Sequence, residues 1–191
     1  MRATAYAVTV AAAALLPGLA GAQAPAHPVA PEQQANPVAT SFRGQLSQMS
    51  KNLVAAADDM PADKYSFKPT PAQMSFGDIV VHLAQGNDYL CGTIAGTKAP
   101  TRTKVAVTEG KAALVARLRE SFQFCETSLA NLDDSKLGES LPFFGGRTMS
   151  RAGIILVTVG DWADHYSQSA IYMRLNGLLP PTAKKTPATG Q

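Results

Sequence analysis

GDWADHYSQSAIYMRLNG, residues 160–177, decides how the rest of the chain is read. Its apolar and aromatic residues recur at steps of three and four, the period of a helix with one buried face. Asn176-Gly177 is a C-cap signal, and Pro180-Pro181 forbids continuation. Traced back to about Thr148, the inward series is Ile154, Val157, Asp161, His165, Gln168, Tyr172 and Leu175. Three consecutive members of that series are polar. A carboxylate that faces a bundle core is costly unless it is paired, hydrogen-bonded or bound to a metal. His165, one turn beyond Asp161, is its nearest partner. Two readings therefore stand: a buried Asp161–His165 hydrogen bond, and joint ligation of a metal.

Three further helices precede this one. Phe42, Leu46, Met49, Leu53, Ala56 and Met60 keep a helical spacing that Pro61 ends. A second helix opens at Ser75 with Asp78 three residues on, the pattern of a capping box, and carries Phe76, Ile79, Leu83, Leu90 and Ile94 on one face. A third follows Thr108 as N-cap, with Leu114, Leu118, Phe122, Cys125, Leu129 and Leu132 aligned. Residues 138–147, GESLPFFGGR, read as an irregular crossing or short extended piece, with Phe143 and Phe144 against the bundle end. No stretch shows convincing strand alternation. The fold class is all-α, an antiparallel four-helix bundle over residues 40–181, in which residues 96–107 are long enough to form a crossing connection.

The chain has 191 residues, of which 46% are hydrophobic and 16% charged, which suits one globular domain. Residues 1–22 read as a signal peptide: Arg2, the apolar run AVTVAAAALLPGLA, and a small-residue cleavage site at Ala20-Gly21-Ala22. The expected location is periplasmic or secreted. Pro17 and Gly18 break the apolar run well short of the roughly 20 residues a membrane span needs. Residues 23–39 hold four prolines and few large apolar groups, the composition of a linker, and 182–191, TAKKTPATGQ, read as a disordered tail. Removing Arg2 takes the net charge from +3 to +2, and the remaining basic residues are scattered, which excludes a nucleic-acid footprint. A homodimer is compatible with such a bundle. Cys91 and Cys125 lie 34 positions apart; an even count in an exported chain favours a disulfide, and two reduced buried thiols are the alternative.

His82 sits on a flank of the second helix's apolar stripe, within reach of a neighbouring helix. Two histidines and one carboxylate from two facing helices match the facial arrangement that leaves coordination positions open on a divalent metal. Asp88 and Asp164 read as solvated charges, and Trp162 and Tyr166 as packing residues.

His82 within VVHLAQGNDYL, the FGDIVVHL opening of the second helix, and DHYSQSAIYMRLNGLLPP at 164–181 together resemble the DinB-like family of four-helix metal proteins, over residues 40–181. The resemblance implies a divalent metal, zinc, nickel, manganese or iron, held by three histidines that map to His82, position 161 and His165. Position 161 is Asp here, and a carboxylate can replace imidazole on such metals while changing charge and softness. It further implies metal-dependent transferase, isomerase or hydrolase chemistry with small thiols, and the first reading of this chain is a hydrolase or transferase on a small-molecule substrate, with a bound water as nucleophile and Gln168 orienting it. The alternative is a non-catalytic exported bundle with a degenerate site and Asp161 paired to His165.

Overall fold

Ser75 begins its helix as the sequence predicts. Its hydroxyl oxygen accepts from the Asp78 backbone N–H, and the Asp78 carboxylate accepts from the Ser75 N–H, so each side chain satisfies a free donor of the first turn. The computed structural model describes residues 35–184 and contains four long helices: α1 (Pro37–Asp59), α2 (Phe76–Ala95), α3 (Lys111–Ser128) and α4 (Arg151–Leu175). Between α3 and α4 lies an antiparallel hairpin of β1 (Ser140–Phe143) and β2 (Arg147–Ser150), with Phe143 opposite Arg147. The fold is all-α, a four-helix bundle.

Helix α1 packs on α3 and α4, and α2 packs on the same pair. Contacts along each pair give the directions. Arg43 reaches the Leu132 carbonyl and Asp58 pairs with Arg119, so α1 and α3 run oppositely. Met74 meets Tyr172 while Asn87 meets Trp162, so α2 and α4 do too. Asn87 bonds Ser121 and Cys91 is joined to Cys125, so α2 and α3 advance together. Residues 96–110 must then return along the length of α2, which is the expected crossing connection.

Trp162 has no exposed surface and stacks on Phe42 at 5.7 Å. Its indole N–H donates to Asn87 Oδ1 at 2.7 Å, Asn87 Nδ2 donates to Ser121 Oγ at 3.0 Å, and that hydroxyl donates to the Leu118 carbonyl. A continuous polar chain thus joins α4, α2 and α3 inside an otherwise apolar core, where every partner is satisfied. Cys91 and Cys125 form a disulfide with Cα atoms 5.2 Å apart.

Several boundaries differ from those expected. Helix α1 starts at Pro37, inside the segment read as linker, because the Asp134 carboxylate accepts the Val38 and Ala39 N–H groups and caps it from 95 residues away. Gly110, not Thr108, precedes α3; Thr108 lies in a short 3₁₀ turn where Glu109 accepts the Ala106 N–H. Thr148 belongs to β2, and Ser150 caps α4. The glycine-rich stretch is a true hairpin because Gly145 and Gly146, both with positive φ, close it tightly. At the C-terminal end Thr182 bonds the Tyr166 hydroxyl and Lys184 pairs with Asp59, so 182–184 dock on the bundle instead of trailing from it. Residues 1–22, read above as a signal peptide, residues 23–34 of the expected linker and residues 185–191 lie outside the described residues. Among the described residues no helix is long and apolar enough to cross a membrane.

Candidate metal centre

His82 lies in the N-terminal half of α2, and Asp161 and His165 lie one turn apart on α4. Because α2 and α4 run antiparallel in contact, three residues 79 to 83 positions apart in sequence meet at one point. His82 Nε2 is 3.3 Å from Asp161 Oδ1, and His165 Nε2 is 3.4 Å from the same oxygen. The two imidazole rings stand edge to face with centroids 4.6 Å apart. One ligand atom from each residue falls within 4.8 Å of the other two.

Exposure is graded across the cluster. The His82 side chain is 48% exposed, that of Asp161 21% and that of His165 9%. The cluster opens to solvent on the α2 side and is closed by α4 beneath. Burial resists ionisation of Asp161, yet the hydrogen bonds from His165 and His82 and their charge hold its carboxyl well below the usual carboxylate range. The hydrogen bond to Asp161 raises the His82 pKa, partial burial opposes the rise, and the adjacent negative charge adds to it.

These distances bear on metal binding. Nitrogen and oxygen ligands about 2.0–2.1 Å from one ion lie roughly 3.3 Å from each other in a tetrahedral site. The two separations from Asp161 Oδ1 match that value, within a ligand set whose atoms lie within 4.8 Å of one another. A hard carboxylate with two imidazoles suits zinc, manganese or iron and leaves coordination positions open on the solvent side. His165 Nδ1 is buried and has no protein partner among the described residues, so ligation through Nε2, which places the ring proton on Nδ1, finds no protein acceptor for it. The residues present nonetheless fit a divalent ion. They also satisfy one another without it, through a carboxylate shared by two imidazoles.

The expected inward series of α4 is correct at Ile154, His165 and Tyr172, which are buried, but Val157 and Leu175 are exposed. The buried stripe runs instead through Ile155, Thr158, Trp162, Ser169 and Met173, rotated slightly toward α1 and its Phe42. Gln168 does not serve the cluster: its amide donates to Asp164 Oδ2 at 2.7 Å. Asp88, read as a solvated charge, is only 7% exposed, because Arg102 and Arg117 from distant segments both bond its Oδ2. No spacing in α2 signals that network.

The sequence signature of the DinB superfamily matches residues 45–169. In structure the chain is similar to a DinB-like protein from Bacillus subtilis (TM-score 0.60, 18% identity, covering 76% of this chain and 99% of that one). A DinB-like protein from Bacillus cereus is similar at a TM-score of 0.62 and 19% identity, over 74% of this chain and 95% of that one. A conserved protein from Enterococcus faecalis gives 0.57 and 14%, over 72% and 96%. At these identities the likeness speaks to the fold. No curated protein matches the chain in sequence.

Proposed function

Because the chain belongs to the DinB superfamily, whose members often bind metals, we propose that it binds one divalent ion through His82, Asp161 and His165 and acts on a small-molecule substrate as an exported hydrolase or transferase. The observation that carries this reading is the single Asp161 oxygen lying 3.3 and 3.4 Å from imidazole nitrogens on two different helices. When bound, the ion supplies Lewis-acid polarisation of the substrate. Asp161 keeps its negative charge at neutral pH and offsets the ion's charge. His165, held in the core, fixes the position of the site, and the half-exposed His82 forms its rim. Substrate approaches from the solvent side, past His82.

Export rests on residues 1–22 and is supported by the Cys91–Cys125 disulfide, a cross-link that persists in oxidising compartments.

Titration of the purified chain with zinc, manganese and nickel, followed by calorimetry, tests the ligand set. Replacing His82 with Ala removes one of three ligands from the rim, with little cost to the fold, and weakens binding at least tenfold. Asp161→His supplies a third imidazole and strengthens zinc and nickel. If His82→Ala binds as tightly as the parent chain, the ligand assignment fails.

The second reading, a non-catalytic bundle, is favoured by the mutual satisfaction of Asp161 with both histidines. It predicts no saturable metal binding in any of the three chains.

A further inference from the structure

Residues 97–106 have no regular structure, yet their course is pinned at both ends against glycines of α2. A Cβ on Gly92 would lie 3.0 Å from the Thr97 carbonyl oxygen and 3.3 Å from the Ala99 nitrogen. A Cβ on Gly77 would lie 2.7 Å from Val107 Cγ1 and 3.1 Å from the Tyr65 carbonyl oxygen. Between these close approaches the segment arches over the seam of α2 and α3. Beneath it is a cleft of about 340 Å³. Arg102 holds the arch down: its Nε donates to Asp88 Oδ2 at 3.2 Å, its Nη1 to Glu120 Oε2 at 3.0 Å and its Nη2 to the Glu120 carbonyl at 3.2 Å.

The cleft has an apolar side, formed by Val81, Ala84, Val105 and Leu114, and a charged end. At that end Arg117 also donates to Asp88 Oδ2, so two guanidinium groups share one carboxylate oxygen. Two buried atoms are left without a protein partner among the described residues: the donor Arg117 Nη1 and the acceptor Asp88 Oδ1. Buried polar atoms of ionised groups are costly to leave unpaired, so this pair marks a place for a ligand. Arg102, Lys104 and Arg117 line the cleft against Asp88 alone, so the lining carries an excess of positive charge even after Glu120 takes part of Arg102. None of His82, Asp161 and His165 is among the lining residues.

We propose that this cleft binds a small amphipathic carboxylate with a hydrogen-bond donor beside the carboxyl group, of the 2-hydroxy or 2-amino acid kind. The carboxylate accepts from Arg117 Nη1, the adjacent hydroxyl or ammonium donates to Asp88 Oδ1, and the apolar body lies under the arch against Val105 and Leu114. The site stands independently of metal binding.

3-Phenyllactate and its methyl ester form the test pair, since they share body and hydroxyl and differ in charge. Both are titrated into the full-length chain in excess chelator, so that no acid binds through a divalent ion, and binding is followed by amide chemical shifts. The acid is expected to bind at least tenfold more tightly than the ester, with shifts concentrated in residues 81–89 and 99–105. Arg117→Leu removes the difference between acid and ester. Val105→Trp, a change in the arch that fills the cleft and leaves the ion pairs in place, abolishes binding of both, and it decides the matter if Arg117→Leu does not fold. No binding of the acid at millimolar concentration, equal binding of acid and ester, or binding unchanged in Val105→Trp overturns the proposal.

Discussion

Reducing the Cys91–Cys125 bridge in the intact chain should shift its unfolding further than any single surface change. The bridge closes a loop of 34 residues. In the chain-entropy account such a cross-link removes about 4 kcal/mol of freedom from the unfolded state. Whole-domain stability is about 5–15 kcal/mol, so the bridge is a large fraction of it. Both cysteines are fully buried, and they fix α2 beside α3, parallel, within a few residues of Asn87 and Ser121. Reduction is a cleaner perturbation than substitution, because it keeps both sulfur atoms in the core. Urea unfolding with and without a thiol reductant can be read from Trp162, the single tryptophan, whose indole is fully buried on Phe42. With a urea slope of roughly 2 kcal/mol/M, the midpoint should fall by about 2 M on reduction. An unchanged midpoint, or two freely reacting thiols in the untreated folded protein, would refute the reasoning.

Other consequences are open to measurement. Asn87→Leu strands the Trp162 indole N–H in the core and should cost about 1–3 kcal/mol in urea unfolding, with a shifted Trp162 emission in the folded state. Asp134→Ala removes the acceptor for two N–H groups at the start of α1 and should cost about 0.5–2 kcal/mol, with faster amide exchange at Val38 and Ala39 as the local readout. The metal-free chain should have an acid-side stability optimum. Asp161, with its lowered pKa, contributes above about pH 4 and loses that contribution as pH falls through its folded value; His82, with its raised pKa, contributes fully below about pH 6.5 and loses it as pH rises through its folded value. Metal binding requires neutral His82, so adding zinc should move the melting optimum to higher pH, and an optimum that does not move contradicts ligation by His82.

How much of this was legible in the sequence varied with the range of the interaction responsible. The start of helix α2 could be read to the residue, since Ser75 and Asp78 cap it locally, and its stripe of Phe76, Ile79, Leu83, Leu90 and Ile94 does face the core. Asp161 and His165 were legible as a polar pair on an apolar face, and His82 joined them through its place on the flank of the stripe of α2, which the family resemblance then reinforced. What escaped was set by distant partners. The start of α1 depends on Asp134, and the burial of Asp88 depends on Arg102 and Arg117, 14 and 29 positions away. The hairpin strands, four residues each, are too short for alternation to register. The slight rotation of α4 follows from Trp162 turning toward Phe42, a pairing 120 residues apart that no periodicity within the helix encodes.

The proposed function stands on His82, Asp161 and His165 holding one divalent ion. Its most direct test is the metal content of the full chain, purified without a metal-binding tag and refolded in metal-replete buffer, beside the His82→Ala variant. About one zinc, manganese, nickel or iron per chain is expected in the parent and a sharp fall in the variant, because two remaining ligands hold such ions weakly. Equal, near-zero metal in both chains would contradict it and leave Asp161 as a carboxylate shared by two histidines.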